Sequence, residues 1–411
     1  MKVIKGQAAE QWKKEQGVSS QWELISQLIP IGLKAIEEEL QKEVQAMVGQ
    51  DYSRKAHSLR RWGSNDGSVF VGDTKVKTRV PRVRDVIKNR EICLKSYDYF
   101  QDPQRIDQTV FQRVLKGLST RDYESAAQQA PGVFGVKKSA VSRSFIRASA
   151  EKLKKFFERR FDREDFVAIF IDGKMLQNVS MITALGIRID GTKKILGFVE
   201  ASTENHRVCI EFLQSLKERG LDVDQETLFV IDGAKGIRKA IDEVYGEKAF
   251  VQRCQWHKRE NIVSYLPEHL QERYRRKLQA AYEQPNYVTA HRSLMFLKRE
   301  LKNINESAVT SLEEGLEETL TLHRLNLFDK IGISFKTTNP IENLNRQLQK
   351  HLGKVCRWKN SNQRHRWMAS ACLEIEPKLR RVKNYDNLGF LRRKMRNKYE
   401  GDKVQVFQSA A

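Results

Sequence analysis

The feature that most restricts how this chain can fold is a series of short apolar runs between residues 166 and 253. Phe166 to Ile171 is a continuous apolar run that ends at Asp172-Gly173. Val179 to Ile189 is a second run, followed by Asp190-Gly191 as a hairpin turn, and Lys194 to Val199 is a third. A helical pattern then spans about Asn205 to Arg219, and Gly220 stops it. Leu228 to Ile231 is a fourth run, ending at Asp232-Gly233; a second helix reaches about Tyr245, and Ala249 to Arg253 is the fifth run. Short apolar runs bounded by turn residues read as strands. The order is therefore β-β-β-α-β-α-β: three antiparallel strands, then strands joined through helices.

That order is the ribonuclease-H-like arrangement, a mixed five-stranded sheet. Helices on both faces are the usual way to cover such a sheet. The expected fold class is thus α/β: a ribonuclease-H-like catalytic core interrupted by an all-α insertion and preceded by helical and helix-turn-helix DNA-binding regions. The segments expected are an N-terminal helical region (1–50), a small basic β-rich region (51–100), a helix-turn-helix domain (101–160), the first part of the core (161–257), the insertion (258–335), the last part of the core (336–385) and a basic C-terminal tail (386–411). In the first, Leu24, Ile25, Leu28, Ile29, Ile36, Leu40, Val44 and Met47 recur at helical spacing, and Pro30 is expected to kink or divide the helix. In the second, Ser64 to Gly67 reads as a turn cluster, and Val69 to Val80 as a hairpin with a basic face. Residues 104–130 read as helical. Pro131-Gly132 then breaks the chain, and a Gly135 turn leads into a polar helix reaching about Phe157. Lys138, Ser139, Ser142 and Arg143 would open that helix as a DNA-reading element. In the insertion, Leu294, Leu297, Leu301 and Ile304 recur at helical spacing.

Charge adds a partner class. The 411 residues carry 74 Lys and Arg against 52 Asp and Glu, a formal net charge of +22. The excess is concentrated: Arg54 to Lys95 holds twelve basic and four acidic residues, and Arg346 to Glu400 holds sixteen and four. Two basic blocks around a balanced centre suit a polyanion, most simply double-stranded DNA. Trp62, Trp358 and Trp367 have Arg or Lys neighbours and can either stack on bases or bury their rings. No apolar stretch approaches the roughly 18 residues of a membrane span, and the polar first residues lack a secretory h-region. The five cysteines are scattered, with no Cys-x-x-Cys pair. Reduced thiols in the cytosol are therefore expected.

Three acids carry the candidate chemistry. In such a sheet the first and fourth strands are neighbours, so Asp172 and Asp232 would emerge side by side, and Glu342 would come from a helix packed beside them. Clustered carboxylates repel one another, and hard divalent cations, Mg2+ or Mn2+, relieve that. Two such ions about 4 Å apart suit phosphodiester chemistry. Each acid also has a plain role open to it: a turn at Asp172-Gly173, a helix cap at Asp232, and a capping Glu at Glu342, three residues after Asn339 with Pro340 between. Glu200 and Glu204 are rival third carboxylates, and Asp190 is expected to be structural. Cys254 and His257 form a Cys-x-x-His to which no further pair adds zinc ligands, so zinc is not expected. His257 could instead reach the acidic site or a substrate phosphate. Arg346 and Lys350, one and two turns beyond Glu342, could hold phosphates.

Asp172-Gly173, Asp232-Gly233-Ala234-Lys235-Gly236-Ile237, Cys254-Gln255-Trp256-His257-Lys258 and Thr338-Asn339-Pro340-Ile341-Glu342-Asn343-Leu344-Asn345 resemble the motifs of Mutator-type bacterial insertion-sequence transposases. Val355-Cys356-Arg357-Trp358-Lys359 and Trp367 are similar too, and the resemblance runs from about residue 100 to 385. Arg79 to Asp85 adds a weaker likeness, and Trp256 is bulkier than the motif leads one to expect. The resemblance implies a DDE transposase in which Asp172, Asp232 and Glu342 hold the metal ions, two per site, and the Cys254/His257 pair supports them. It implies cleavage at element ends to free a 3′-OH, joining to target DNA, Arg357 and Trp358 among the DNA contacts, and a cytoplasmic, nucleoid-associated bacterial setting. Work on two DNA ends needs at least a dimer. The rival readings are a structure-selective nuclease or junction resolvase, and a catalytically silent DNA-binding regulator. A carboxylate-pair glycosidase would not need the positive charge.

Overall fold

The computed structural model describes residues 20–50, 58–71, 74–102, 104–119, 133–134, 138–176, 178–201 and 205–397. The chain divides into two units, Met1–Glu151 and Lys152–Ala411.

In the first unit, helix α1 (Ser20–Val48) runs through Pro30 without being divided there. Strands β1 (Leu59–Val71) and β2 (Thr74–Asp85) form a long antiparallel ribbon, and β3 (Arg90–Ile92) pairs with the end of β2. Ile36, Leu40, Val44 and Val48 of α1 pack on Val69, Val80 and Val83 of the ribbon, giving this unit its own core. The Ser64–Gly67 cluster is strand rather than turn: these residues pair with Pro81 to Thr78. The irregularity falls just before it, between Arg61 and Ser64, where Gly63 has φ 76°. Gly67 is required by close approach, since a Cβ there would meet Val80 Cγ2 at 2.5 Å and the Tyr97 hydroxyl at 2.7 Å. Helices α2 (Lys95–Gln101) and α3 (Gln104–Leu115) follow.

The region expected to form a helix-turn-helix is only partly described. Residues 120–132 and the Gly135 turn lie outside the described residues. A two-residue strand, β4 (Val133–Phe134), pairs with β2 at Lys75 and Val76. Helix α4 (Lys138–Phe157) then begins at Lys138.

The second unit holds the mixed sheet. Its strands are β5 (Phe166–Leu176), β6 (Val179–Arg188), β7 (Lys193–Ala201), β8 (Thr227–Ile231) and β9 (Ala249–Arg253), in the order β7-β6-β5-β8-β9. The first three are antiparallel; β5, β8 and β9 are parallel. Parallel neighbours need crossovers, and α5 (His206–Glu218) and α6 (Lys235–Tyr245) supply helices there. Side chains alternate across a strand. Ile169, Ile171, Phe229, Ile231 and Val251 therefore face α5 and α6, where Phe212, Leu216, Ile237 and Ile241 complete a core. Phe170 points the other way and stacks on Phe335 at 5.6 Å.

After β9 come α7 (Gln255–Val263), α8 (Glu268–Tyr282), α9 (Tyr287–Lys302), α10 (Glu306–Glu313), α11 (Leu316–Thr319), α12 (Thr321–Arg324) and α13 (Phe328–Phe335). Leu294, Leu297 and Leu301 sit in the core of this helical group, with Ile304 packed against it. Helices α14 (Asn339–Leu352) and α15 (Ser361–Ile375) return to the sheet. Arg159 bridges Glu376 at 2.6 Å, and Glu376 accepts from the Ile195 backbone at 2.7 Å, fastening the end of α15 to β7. No helix of the described residues is long and apolar enough to cross a membrane.

Candidate active site

Strand β5 does not end at Asp172, as its apolar run suggests. It continues to Leu176, paired throughout with β6, and Asp172 sits opposite Thr183. What ends near Asp172 is the pairing with β8, whose last partners are Phe170 and Val230. Carried two residues beyond the last pair, the same offset brings Asp172 level with Asp232, the residue after the end of β8, and neighbouring strands lie about 4.8 Å apart. Both acids share the parity of Phe170 and Val230, which puts them on the face away from α5 and α6.

Helix α14 meets this edge. Asn345 Nδ2 donates to Asp172 Oδ2 at 2.7 Å. Glu342 lies three residues earlier on the same helical face. Its Oε1 accepts from the Thr338 hydroxyl at 2.7 Å and lies 3.9 Å from His257 Nε2. Pro340 is in the first turn, as its fixed φ favours, and Thr338 is the N-cap residue. Glu342 therefore serves the helix start in part and faces the site as well. Asp232 does not cap a helix: its Oδ1 accepts from the Ala234 N–H at 3.0 Å, and α6 begins at Lys235 with no side-chain cap.

The Cys254/His257 pair opens α7 against the same edge. Thr338 donates to Cys254 Sγ from its N–H at 3.4 Å, and its hydroxyl, whose proton goes to Glu342, lies 3.4 Å from Cys254 Sγ and 3.3 Å from His257 Nδ1. The hydrogen bond with Cys254, and then the charges of Cys254, Glu342 and Asp232, outweigh burial and hold the His257 imidazole up at about 9. Burial opposes ionisation of Cys254, but hydrogen bonds from His257 and Thr338 outweigh it and hold the thiol below its ordinary value. Positive charge on the imidazole thus faces the acids. Trp256, beside it, is exposed, with its ring edge-on to His257 at 4.8 Å.

Gly233 has φ 110°, and a Cβ there would lie 2.5 Å from Arg253 Cζ and 2.6 Å from Nη2. A Cβ at Gly315 would likewise lie 2.6 Å from Nη1 of the same guanidinium, which donates to the Glu314 carbonyl at 2.9 Å. Two glycines therefore let the buried Arg253 pass between the Asp232 turn and the helical group.

Glu200 is engaged elsewhere. It accepts from Arg364 Nε at 2.9 Å and Nη2 at 2.5 Å, and from Ser361 at 2.9 Å. It also stands on β7, with β6 between it and β5. Glu204 lies outside the described residues. Asp190 closes its turn by accepting from the Thr192 N–H and hydroxyl at 2.9 and 2.6 Å. Arg346, Lys350 and Arg357 are exposed. Trp367 is buried and Trp358 half-buried, edge-on to it at 6.3 Å, so Trp367 spends its ring on packing. Lys138, Ser139 and Arg143 are exposed on α4, and Ser142 is half-buried.

Among the described residues no group of three or more His, Cys, Asp and Glu side chains is gathered closely enough to hold a metal ion as it stands. The donor chemistry of Asp172, Asp232 and Glu342, all oxygen, fits a hard divalent cation rather than a soft one. Asn345 and Thr338, which fix two of these acids, have no role assigned by the sequence reading. The signal for Asn345 was its place one turn after Glu342, and for Thr338 its place at the helix start.

Comparison with known proteins gives the family. Residues 4–376 match the family model described as transposase, Mutator family. The chain is 24% identical over 331 residues to a transposase for insertion sequence element IS1201 from Lactobacillus helveticus, covering 77% of this chain and 86% of that one. It is 26% identical over 327 residues to a transposase for element ISRM5 from Rhizobium meliloti, covering 77% and 79%. It is 25% identical over 347 residues to a transposase for element IS905 from Lactococcus lactis, covering 82% and 85%. Matched to that family model over nearly its whole length, the chain belongs to the Mutator family of transposases.

Proposed function

We propose that this chain cuts and joins DNA at the edge where β5 and β8 part, as a metal-dependent DDE transposase with a ribonuclease-H-like core. The observation that carries the reading is the register that sets Asp172 beside Asp232, together with the Asn345 bond that brings the Glu342 helix to them. Asp172, Asp232 and Glu342 would hold Mg2+ or Mn2+, two per site. When bound, such ions activate the attacking oxygen and stabilise the leaving one.

The chain's own residues position the rest. Asn345 orients Asp172, Thr338 orients Glu342, and the His257 cation lies where a substrate phosphate would come. Arg346, Lys350, Arg357 and Trp358 would contact DNA near the site, and Lys138, Ser139, Ser142 and Arg143 would contact DNA from α4. In the first step water attacks a phosphodiester at the element end, the P–O3′ bond breaks, and a 3′-OH and a 5′-phosphate result. In the second, that 3′-OH attacks a target phosphodiester. A new P–O bond forms, a target 3′-OH leaves, and no bond to the protein is made. The partners are element-end and target duplexes and a second copy of the chain, in a bacterial cytoplasm at the nucleoid.

A strand-transfer assay on labelled element-end DNA with Mg2+ tests this. Asp172→Asn, Asp232→Asn and Glu342→Gln should each abolish joining and cleavage while DNA binding persists. Full activity in any variant removes that residue from the site. Cleavage without joining by the parent chain would favour a nuclease, and binding without either a regulator.

A further inference from the structure

The β1–β2 ribbon has two unlike faces. Its inner face carries Val80 and Val83 onto α1, with Val76 and Thr78 also buried and the Thr78 hydroxyl donating to Glu37 at 2.7 Å. Its outer face is cationic. Lys75, Lys77 and Arg79 are exposed at alternate positions of β2. At Pro81-Arg82 the inward positions pass from even to odd numbers, so Arg82 and Arg84 continue the outer side. Arg84 lies over the exposed Trp62 ring at 5.0 Å, opposite the register shift in β1. Lys75, Lys77 and Arg79 line one broad cavity of about 600 Å³ with Ser68 and the acid Asp66. Arg82 is in part committed, bridging Glu91 at 2.6 Å.

We propose that this outer face docks duplex DNA, with Lys75, Lys77 and Arg79 set along one phosphate strand and the ribbon lying in the groove beside it. Alternate residues of an antiparallel strand are about 6.8 Å apart. Phosphates on one DNA strand advance about 3.4 Å each along the axis and also wind around it, so successive phosphates lie about 7 Å apart in space and match alternate residues over a run this short. A two-stranded ribbon also fits the width of the major groove. The sign and spacing of the charges choose DNA over a protein partner, and Trp62 offers an aromatic face at the other end. The surface rests on the transposase reading only in that it supplies a second grip on the same DNA; it contains none of the proposed catalytic residues.

The test is fluorescence anisotropy of the full chain with a 30-base-pair duplex of mixed sequence, titrated across salt. Each phosphate contact contributes about 0.9 to the slope of log K against log salt. The triple variant Lys75→Gln/Lys77→Gln/Arg79→Gln should lower the slope by about 2 to 3 and weaken binding about tenfold or more near 0.1 M salt. Lys34→Gln/Lys42→Gln, which removes charge from exposed positions of α1, should leave the slope within about 0.5 of the parent, guarding against a general charge effect. Circular dichroism of both variants checks folding, and single Lys77→Gln, expected to lower the slope by about 0.9, stands in if the triple variant misfolds. An unchanged slope in the folded ribbon variants overturns the inference and leaves the catalytic reading standing. A parent chain that binds no duplex at all sinks both. Equal loss of binding to anionic lipid vesicles and to DNA would replace the DNA assignment with a general anion surface.

Discussion

Gly233→Ala is the substitution that most directly tests how the Asp232 turn is built. Its backbone has φ 110°, where a residue with a Cβ is strained by about 1–3 kcal/mol. The new Cβ would also meet Arg253 at 2.5 Å from Cζ, well inside contact, so the guanidinium must move. Its freedom is limited, because Gly315 comes close enough that a Cβ there would meet Nη1 at 2.6 Å, and Nη1 is hydrogen-bonded to the Glu314 carbonyl. Losing a charged hydrogen bond in a buried site costs a further 1.5–3 kcal/mol or so. Gly233→Ala should therefore destabilise the sheet-bearing unit by about 3–5 kcal/mol. Gly246→Ala is the internal control: its φ is also positive, at 51°, but nothing lies within 4 Å of its Cβ position, so it pays only the backbone strain. Urea denaturation of the full chain, followed by circular dichroism and tryptophan fluorescence, measures both. If Gly233→Ala costs no more than Gly246→Ala, the clamp on Arg253 contributes nothing and the reasoning fails. Because Asp232 directly precedes Gly233, joining activity should also fall for Gly233→Ala at temperatures where the protein remains folded.

Asn345→Leu removes the donor to Asp172 at similar volume; single-turnover joining should fall about 10–100-fold while duplex affinity stays within twofold, and an unchanged rate would remove Asn345 from the positioning role. Arg364 holds the Glu200 carboxyl below its ordinary value of 4.5, against burial, so its stabilisation is complete above that value and is lost as pH falls through the lower folded value. Glu200→Gln should thus be destabilising near neutral pH and close to neutral in effect in strong acid, read from urea midpoints. Burial, then the Arg253 charge, pushes the Lys258 amine down to about 8 from 10.5, so the unfolded chain binds more protons between those values and stability rises with pH there. Lys258→Met should flatten that rise, which amounts to at most about 3 kcal/mol, and an unaltered pH profile would show that the amine is not desolvated.

Much of the sheet was legible because its strands are buried on both faces and read as unbroken apolar runs. The fourth and fifth strands lie within a residue of where those runs place them. Two of the errors share one cause. Antiparallel pairing is made by the backbone and needs no apolar side chain, so β5 continues through Asp172 to Leu176 although its apolar run has stopped. In the same way Ser64 to Gly67, residues typical of turns, lie within a strand because β2 pairs with them and Gly67 gives Val80 and Tyr97 room. Pro30 is carried inside α1 although the sequence pointed to a kink or division there. The rival claim of Glu200 could not be settled from its position in the chain, since only packing brings Arg364 to it from α15.

The sequence by itself determined that three acids stand at definite points of a strand-and-helix order, that a helical group intervenes before the third, and that basic residues collect on either side. These follow from periodicity and composition, which are local properties. Only the tertiary structure decided which acids have neighbours and what holds them. Parallel register between two strands about 60 residues apart pairs Phe170 with Val230, two residues before Asp172 and Asp232. A side-chain amide from α14 then fixes Asp172, and one threonine links Cys254, His257 and Glu342. Such contacts join residues distant in sequence, and their geometry is set by backbone register and close packing, neither of which a linear pattern encodes.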